Sequence, residues 1–408
     1  MRFNPSPAPS TAEQAVLPEA SSRARVLWLS CVAHALHDGY TDMIYVLLPV
    51  WQADFGLSYG ALAMLRGVYS GTMASLQLSA GHIADRFGSR ATLALGTLLA
   101  ALGYAIAGFT ASLLGLCVAL AISGGGSSTQ HPLASGAVSR TYADSAKGAR
   151  GPLGTYNFAG DLGKAALPAA ISLLVTLMPW RHALWIVSAV GCVVAAAIAL
   201  WLPSISREKH VAVAPSASGG KVASTAFNLL LSIGILDSAV RMGLLTFLPF
   251  LLKAKGVSPA MLGTAMALVF IGGAAGKFAC GWLGARMGVI GTVLATEGGT
   301  AICIVAVMFC PLPLTLILLP LLGMMLNGTS SVLYGTVPEL TPATGIERAF
   351  ALFYTGSIAS GAISPIIFGF LGDRIGVHGA TFATALTAVA IFPLALALRS
   401  RLGPMKGP

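Results

Sequence analysis

Gly81-His82-Ile83-Ala84-Asp85-Arg86-Phe87-Gly88-Ser89-Arg90 is a polar stretch with charges of both signs, set between two long apolar runs. A weaker copy, Gly281-Trp282-Leu283-Gly284-Ala285-Arg286-Met287-Gly288, begins 281 − 81 = 200 residues later. The register extends further, since Pro49 answers to Pro249 and Ser58 to Ser258. A third piece, Gly369-Phe370-Leu371-Gly372-Asp373-Arg374-Ile375-Gly376, follows another apolar run. One Gly-rich turn carries little information. The same turn at fixed spacing between hydrophobic spans marks a duplicated membrane fold.

Composition agrees with lipid as the solvent. Of 408 residues, 56% are hydrophobic and 9% charged, with a mean hydropathy of +0.81. A water-soluble domain carries roughly a quarter charged residues. The formal net charge of +10 does not indicate nucleic acid, because the basic residues sit in short loops rather than in a run or on one face. Cys31, Cys117, Cys192, Cys280, Cys303 and Cys310 all fall inside apolar spans and form no Cys-x-x-Cys pair. They read as small apolar filler, with no disulfide frame and no structural metal site.

Windows of about 20 residues divide the chain into twelve spans. The first half gives 26–51, 59–80, 91–109, 112–139, 152–177 and 182–202. The second gives 224–252, 259–283, 289–309, 312–337, 347–370 and 377–399. Residues 1–22 are Pro-, Ser- and Ala-rich and read as a disordered tail. The first apolar run exceeds signal-peptide length and is expected to be retained. This predicts an N-terminal bundle over 23–202, a linker over 203–223, a C-terminal bundle over 224–400 and a short tail over 401–408. Alternate loops and both ends carry Arg86, Arg90, Arg140, Lys147, Arg150, Arg207, Lys209, Lys221, Arg286, Arg348 and Lys406, among others. The opposite loops carry only Arg181, Lys253, Lys255 and Arg374. That asymmetry predicts cytoplasmic termini and a multi-pass protein of the inner (plasma) membrane.

The opening stretch resembles the signature loop between the second and third helices of major facilitator superfamily transporters. Gly81, Asp85, Arg86, Gly88 and Arg90 fit in full, whereas in the second copy, Gly281, Arg286 and Gly288, an Ala285 stands where the family has Asp. The resemblance implies an all-α polytopic membrane protein, with twelve transmembrane helices in two pseudo-symmetric six-helix bundles. It also implies that Asp85 pairs with an Arg or a helix N-terminus and gates the cytoplasmic side. His37-Asp38 in span one, and the Gly124-Gly125-Gly126 approach to His131-Pro132 in span four, look like the fosmidomycin-resistance branch of drug/proton antiporters. That branch has an acid where this chain has Leu133, and uncharged residues where Asp161 and Lys164 stand.

A charge at mid-bilayer costs several kcal/mol, so each one needs a reason. His34, Asp38 and Asp42 recur every four residues on one face of span one, with His37 beside them. Span four offers Gln130 and His131, span five Tyr156, Asn157, Asp161 and Lys164, and span seven Asp237 and Arg241. Span ten has Asn327 and Tyr334, and span eleven has Tyr354 at the position matching Tyr156. In the family, helices one, four, seven and ten line a central cavity, with two, five, eight and eleven at its seam.

Asp38 is the first candidate for the proton-carrying acid, because a carboxylate withdrawn from water gains and releases a proton more readily near neutrality. His37, His131 and Asp161 are candidates to relay that proton. His34, Asp42, Gln130, Tyr156, Asn157, Lys164, Asp237, Arg241, Asn327, Tyr334 and Tyr354 are expected to line the substrate cavity. Arg241 and Lys164 suit an anionic group. Structural readings stand beside these. Asp161 with Lys164, and Asp237 with Arg241, have the spacing of intrahelical pairs. Asp42 with Arg66 reads as an interhelical pair, His34 as a hydrogen-bonded helix contact, and Lys277 as a snorkelling side chain. Glu297 has no evident partner.

The expected function is a proton-coupled secondary transporter, an exporter of a small organic molecule such as an anion, working as a monomer by alternating access. No cofactor or resident metal is expected, and no Walker-type loop argues for direct ATP hydrolysis. A divalent metal-ion transporter built on the span-one His/Asp cluster is the alternative. An intramembrane enzyme is the rival of another class, and it lacks both His-Glu-x-x-His and Gly-x-Ser-x-Gly elements.

Overall fold

A computed structural model describes residues 20–143, 148–203, 225–341 and 346–401. Most of the two expected tails and of the 203–223 linker, with Lys147, Arg207, Lys209, Lys221 and Lys406, lies outside them. The described residues form α1 (Ala20–Phe55), α2 (Tyr59–Phe87), α3 (Ser89–Phe109), α4 (Leu113–Thr141), α5 (Arg150–Leu177) and α6 (Trp180–Trp201). They continue with α7 (Thr225–Ala254), α8 (259–287), α9 (289–309), α10 (Leu312–Thr336), α11 (346–375) and α12 (377–399). The 21-residue α3 is long enough, at about 1.5 Å per residue, to cross a hydrocarbon layer of about 30 Å. Its outward face is apolar, as at Leu95 and Leu99, and so are Val193 on α6 and Ile302 on α9. Such faces suit lipid rather than water.

The opening polar stretch is not a loop. α2 runs through Phe87, and Gly88 alone leaves the helix, at φ 85° and ψ 146°. Gly288 (φ 69°, ψ 176°) and Gly376 (φ 76°, ψ 169°) do the same between α8 and α9 and between α11 and α12. That backbone region is essentially closed to side chains, so each copy of the sequence repeat carries, seven residues after its first glycine, the residue that reverses the chain. Gly56 and Gly256, again 200 apart, also take positive φ.

Two bundles result. α1 packs on α5, α3 on α4 and α6, and α2 on α4; α7 packs on α11, and α10 on the α8–α9 pair. They meet along α2–α11 and α5–α8, with α1 against α7 between. The end of this seam farthest from the chain termini is sealed. Gly60, Gly67 and Gly369 let α2 and α11 touch, and Gly263 seats α8 on Pro168 and Ser172 of α5. The Asp373 carboxylate of α11 accepts the Tyr59 and Gly60 N–H groups at 2.6 and 3.0 Å, capping α2 across the seam. The Ser172 hydroxyl donates to the Pro259 carbonyl and accepts the Gly263 N–H at 2.8 Å. Ile44, Leu47 and Leu48 on α1, and Phe247, Leu248 and Leu251 on α7, are fully buried there. Towards the chain ends the seam loosens, and Lys164, Arg241 and Lys277 are partly exposed. These partly exposed charges mark a polar crevice between the bundles, on the terminal side of the close contacts.

Candidate functional site

Glycines decide how closely α1 and α5 approach. A side chain at Gly163 would strike the Ala35 backbone, and one at Gly160 would strike His34 and Asp38. α5 therefore lies directly over the span-one histidines. α4 reaches the same point through Gly124 and Gly126, which fit against the backbones of Tyr69 and of Gly96 and Ala100. It then widens into a π-helical turn, His131–Ser135, at Pro132. Proline lacks the donor a regular turn needs, and π-bulges are frequent at functional sites.

These approaches gather three imidazoles. The His131 ring lies 5.3 Å from His34 and 4.7 Å from His37, edge-on to both. The Tyr156 ring stacks on His34 at 4.0 Å, and its hydroxyl lies beside Gln130. Asp38 stands among them, with His34 Nε2 at 3.4 Å, His37 Nε2 at 3.8 Å and Lys164 Nζ at 3.3 Å. The His34 tautomer is fixed, because its Nδ1 lies 2.8 Å from the Tyr156 carbonyl, which can only accept. Neutral His34 would thus turn a lone pair towards Asp38. The contact becomes a hydrogen bond only when a proton lies between Nε2 and the carboxylate. The reading of His34 as a hydrogen-bonded helix contact is met, and the same bond makes it part of the cluster.

From Asp38 the charges alternate across the seam. Lys164 reaches Asp161 at 3.8 Å, and Asp161 takes the Lys277 ammonium at 2.6 and 2.8 Å. Lys277 therefore does not snorkel to the interface. An opposite bundle supplies its carboxylate at mid-depth, which a long flexible side chain meets at less cost than bending out to lipid headgroups. Asp161, read as a partner of Lys164, is shared between both lysines.

Two further pairings differ from expectation. No described carboxylate lies within ion-pair distance of Arg66 or of Arg241. Arg66 is buried, donates to Ser70, and lies over the rings of Tyr45 at 5.0 Å and Tyr69 at 5.7 Å. Those aromatic faces hold the guanidinium away from Asp42. Asp237, one turn from Arg241, instead meets Glu297 of α9, which accepts the Thr329 hydroxyl at 2.7 Å. The Glu297 left without a partner in the sequence thus has two.

The remaining candidates scatter. Gln130 and Asp42 are buried in the N-terminal bundle. Asn157 is exposed, and Asn327 bonds its own helix at the Gly323 carbonyl. Tyr334 and Tyr354 pack together at 4.9 Å, with Tyr354 exposed where its counterpart Tyr156 is buried. Around the repeat, Asp85 and Arg86 are exposed, Arg90 approaches the Leu202 carbonyl at 3.4 Å, and Arg286 stacks on Trp282 at 4.0 Å. Gly81 and Gly281 lie within their helices.

Two helical bundles around a polar crevice, sealed at one end, are the architecture of a membrane transporter that exposes its site to one side at a time. The family model of the Major Facilitator Superfamily matches residues 30–236 and 230–407, and the chain belongs to that family. It is 25% identical to a probable sulfoacetate transporter of Cupriavidus necator, over 92% of this chain and 93% of that protein. It is 21% identical to the fosmidomycin resistance protein of Escherichia coli, over 93% and 94%. In fold it is similar to a bacterial homologue of the human lysosomal transporter Spinster, solved in an inward-facing, occupied conformation. The TM-score is 0.79 at 16% identity, covering 94% of this chain and 98% of that one. The family is one of small-molecule transporters and not of enzymes.

Proposed function

We propose that this protein is a proton-coupled secondary transporter of the inner membrane that exports a small organic anion, with both termini cytoplasmic. The observation that carries the proposal is the alternating chain His34, Asp38, Lys164, Asp161, Lys277. A proton arriving between His34 and Asp38 weakens the hold of Asp38 on Lys164. Lys164 then competes with Lys277 for Asp161, and that contact ties the bundles together. Proton occupancy in one bundle thereby sets the strength of a bond to the other, which is what coupling by alternating access requires. His37 and His131 sit close enough to share the proton. Asp85 and Arg86 would form the corresponding contact once the cytoplasmic side closes. Relatives described as transporters of sulfoacetate and 4-methylmuconolactone, and one described as a cephamycin export protein, support small organic substrates. The cytoplasmic placement of the termini rests on the loop charges.

The divalent-metal reading has one observation behind it. Donor atoms of His34, Asp38 and His131 lie within 4.8 Å of one another. Against it, the Lys164 ammonium already stands 3.3 Å from the same Asp38 oxygen, and two cations at that distance repel. Proteoliposomes loaded with a pH-sensitive dye test both readings. Sulfoacetate, L-galactonate and lactate are expected to move protons with at least one of them, and Asp38→Asn to abolish that flux. Unaltered flux in Asp38→Asn removes the proton role, and proton-independent uptake of Zn²⁺ or Mn²⁺ favours the metal reading.

A further inference from the structure

The cations of the crevice are unequally employed. Lys164 and Lys277 are matched to carboxylates within 4 Å. Arg66 and Arg241 are not, and in both the Nε atom is buried and makes no hydrogen bond. Arg66 is the more telling, since the whole residue is only 4% exposed. A guanidinium withdrawn from water with part of its donor set unpaired is costly. α2 nevertheless keeps it there, with one amino group tied to Ser70 and its plane over Tyr45 and Tyr69.

The same tyrosine locates the second arginine. The Tyr45 hydroxyl donates to the sulfur of Met242, the neighbour of Arg241, at 3.4 Å. Arg66 from the N-terminal bundle lies over the Tyr45 ring, and Arg241 from the C-terminal bundle stands on the turn of α7 that touches Tyr45 and acts on it electrostatically. Asp42 and Lys164 act on the same space electrostatically without pairing to either. Asp237 is turned to Glu297.

We propose that Arg66 and Arg241 form a cross-bundle receptor for the anionic head of the substrate, a carboxylate or sulfonate on a small organic body. This rests on the transporter reading above and assigns the substrate contact to a residue of α2, outside the helices expected to line the cavity. The planar forks of two arginines suit a planar carboxylate or a trigonal sulfonate face, and they supply the acceptors the Nε–H groups lack. Because one fork belongs to each bundle, a bound anion bridges them, and its release frees them to part. Lys164 is not the anion contact, being held between two aspartates.

The test uses the purified full chain in lipid nanodiscs and follows thermal unfolding at fixed ionic strength. The probes are sulfoacetate, L-galactonate and lactate, with galactose and lactamide as uncharged comparators. At least one anion is expected to stabilise the protein saturably, and neither uncharged compound is. Arg66→Lys, which keeps the charge but loses the fork, should fold and bind at least tenfold more weakly. Arg66→Gln and Arg241→Gln should not bind, while Lys253→Gln, on an exposed site, should bind as the parent does. The proposal is overturned if no anion stabilises, if uncharged analogues stabilise equally, or if Arg66→Lys binds undiminished. Saturable anion binding without proton flux would retire the coupling and leave the site. Proton-linked flux with anion binding indifferent to Arg66 would do the reverse.

Discussion

The two bundles treat buried acid in opposite ways. In the N-terminal bundle Asp38 is surrounded by an ammonium and two imidazoles within 4 Å. In the C-terminal bundle Asp237 and Glu297 meet each other, and Arg241 stays out of pairing reach. A carboxylate beside an ammonium and two imidazoles is matched by an opposite charge and by groups that can lend it a proton. A contact between two carboxyl groups is a hydrogen bond only when one of them carries hydrogen. Halves descended from one repeat have thus diverged in the part that matters to ions, while their turns and packing stayed alike.

Five substitutions break or sharpen that contrast. Lys164→Met strips Asp38 of its permanent cation. The protein should lose about 3 kcal/mol of unfolding free energy, the low end for a broken buried pair because the ammonium is partly exposed. Denaturation in mild detergent reads this directly, and a loss under 1 kcal/mol would show Asp38 to be neutral already. Gly88→Ala and Gly288→Ala test what the halves share. Each should cost about 1–3 kcal/mol for backbone strain, and at Gly88 nothing stands where the new Cβ would go. Unequal costs would mean that the repeat performs different work in each half.

Glu297→Gln should change stability by about 1 kcal/mol or less, because an amide keeps the Thr329 contact and removes any like-charge repulsion. A large gain would put an ionised Glu297 in the native state and end the contrast with Asp38. Smallest in stability is Lys277→Gln, at about 0–1 kcal/mol for a half-exposed pair. Its effect should appear instead in shape. Spin labels at Thr155 and Arg286 should move apart on average, and an unchanged distance distribution would deny the Asp161–Lys277 bond a part in holding the crevice.

The repeat at 81, 281 and 369, and the hydropathy of the spans, made the fold legible before any coordinates, since both are local patterns that survive without a partner. The site was legible in its residues and not in its pairings. His34, Asp38 and Asp42 announce a helix face by spacing alone, and His131 stands out beside Pro132. Which cation meets which anion depends on how far helices interpenetrate. That is set by Gly160 and Gly163 on α5, two of the chain's 48 glycines. Spacing favoured Asp237 with Arg241 and left Glu297 alone, because a four-residue interval is visible in a string and an α7–α9 contact is not. The pairing of Arg66 with Asp42 failed for the same reason, its company of Tyr45 and Tyr69 being split between two helices.

One consequence follows from the glycine reversals at 88, 288 and 376. A linkage one residue long leaves no slack, so α2 and α3 cannot slide past each other, nor α8 past α9, nor α11 past α12. Each couple must travel as a welded hairpin. A displacement of α8, which carries Lys277, would then draw α9 and its Glu297 along with it.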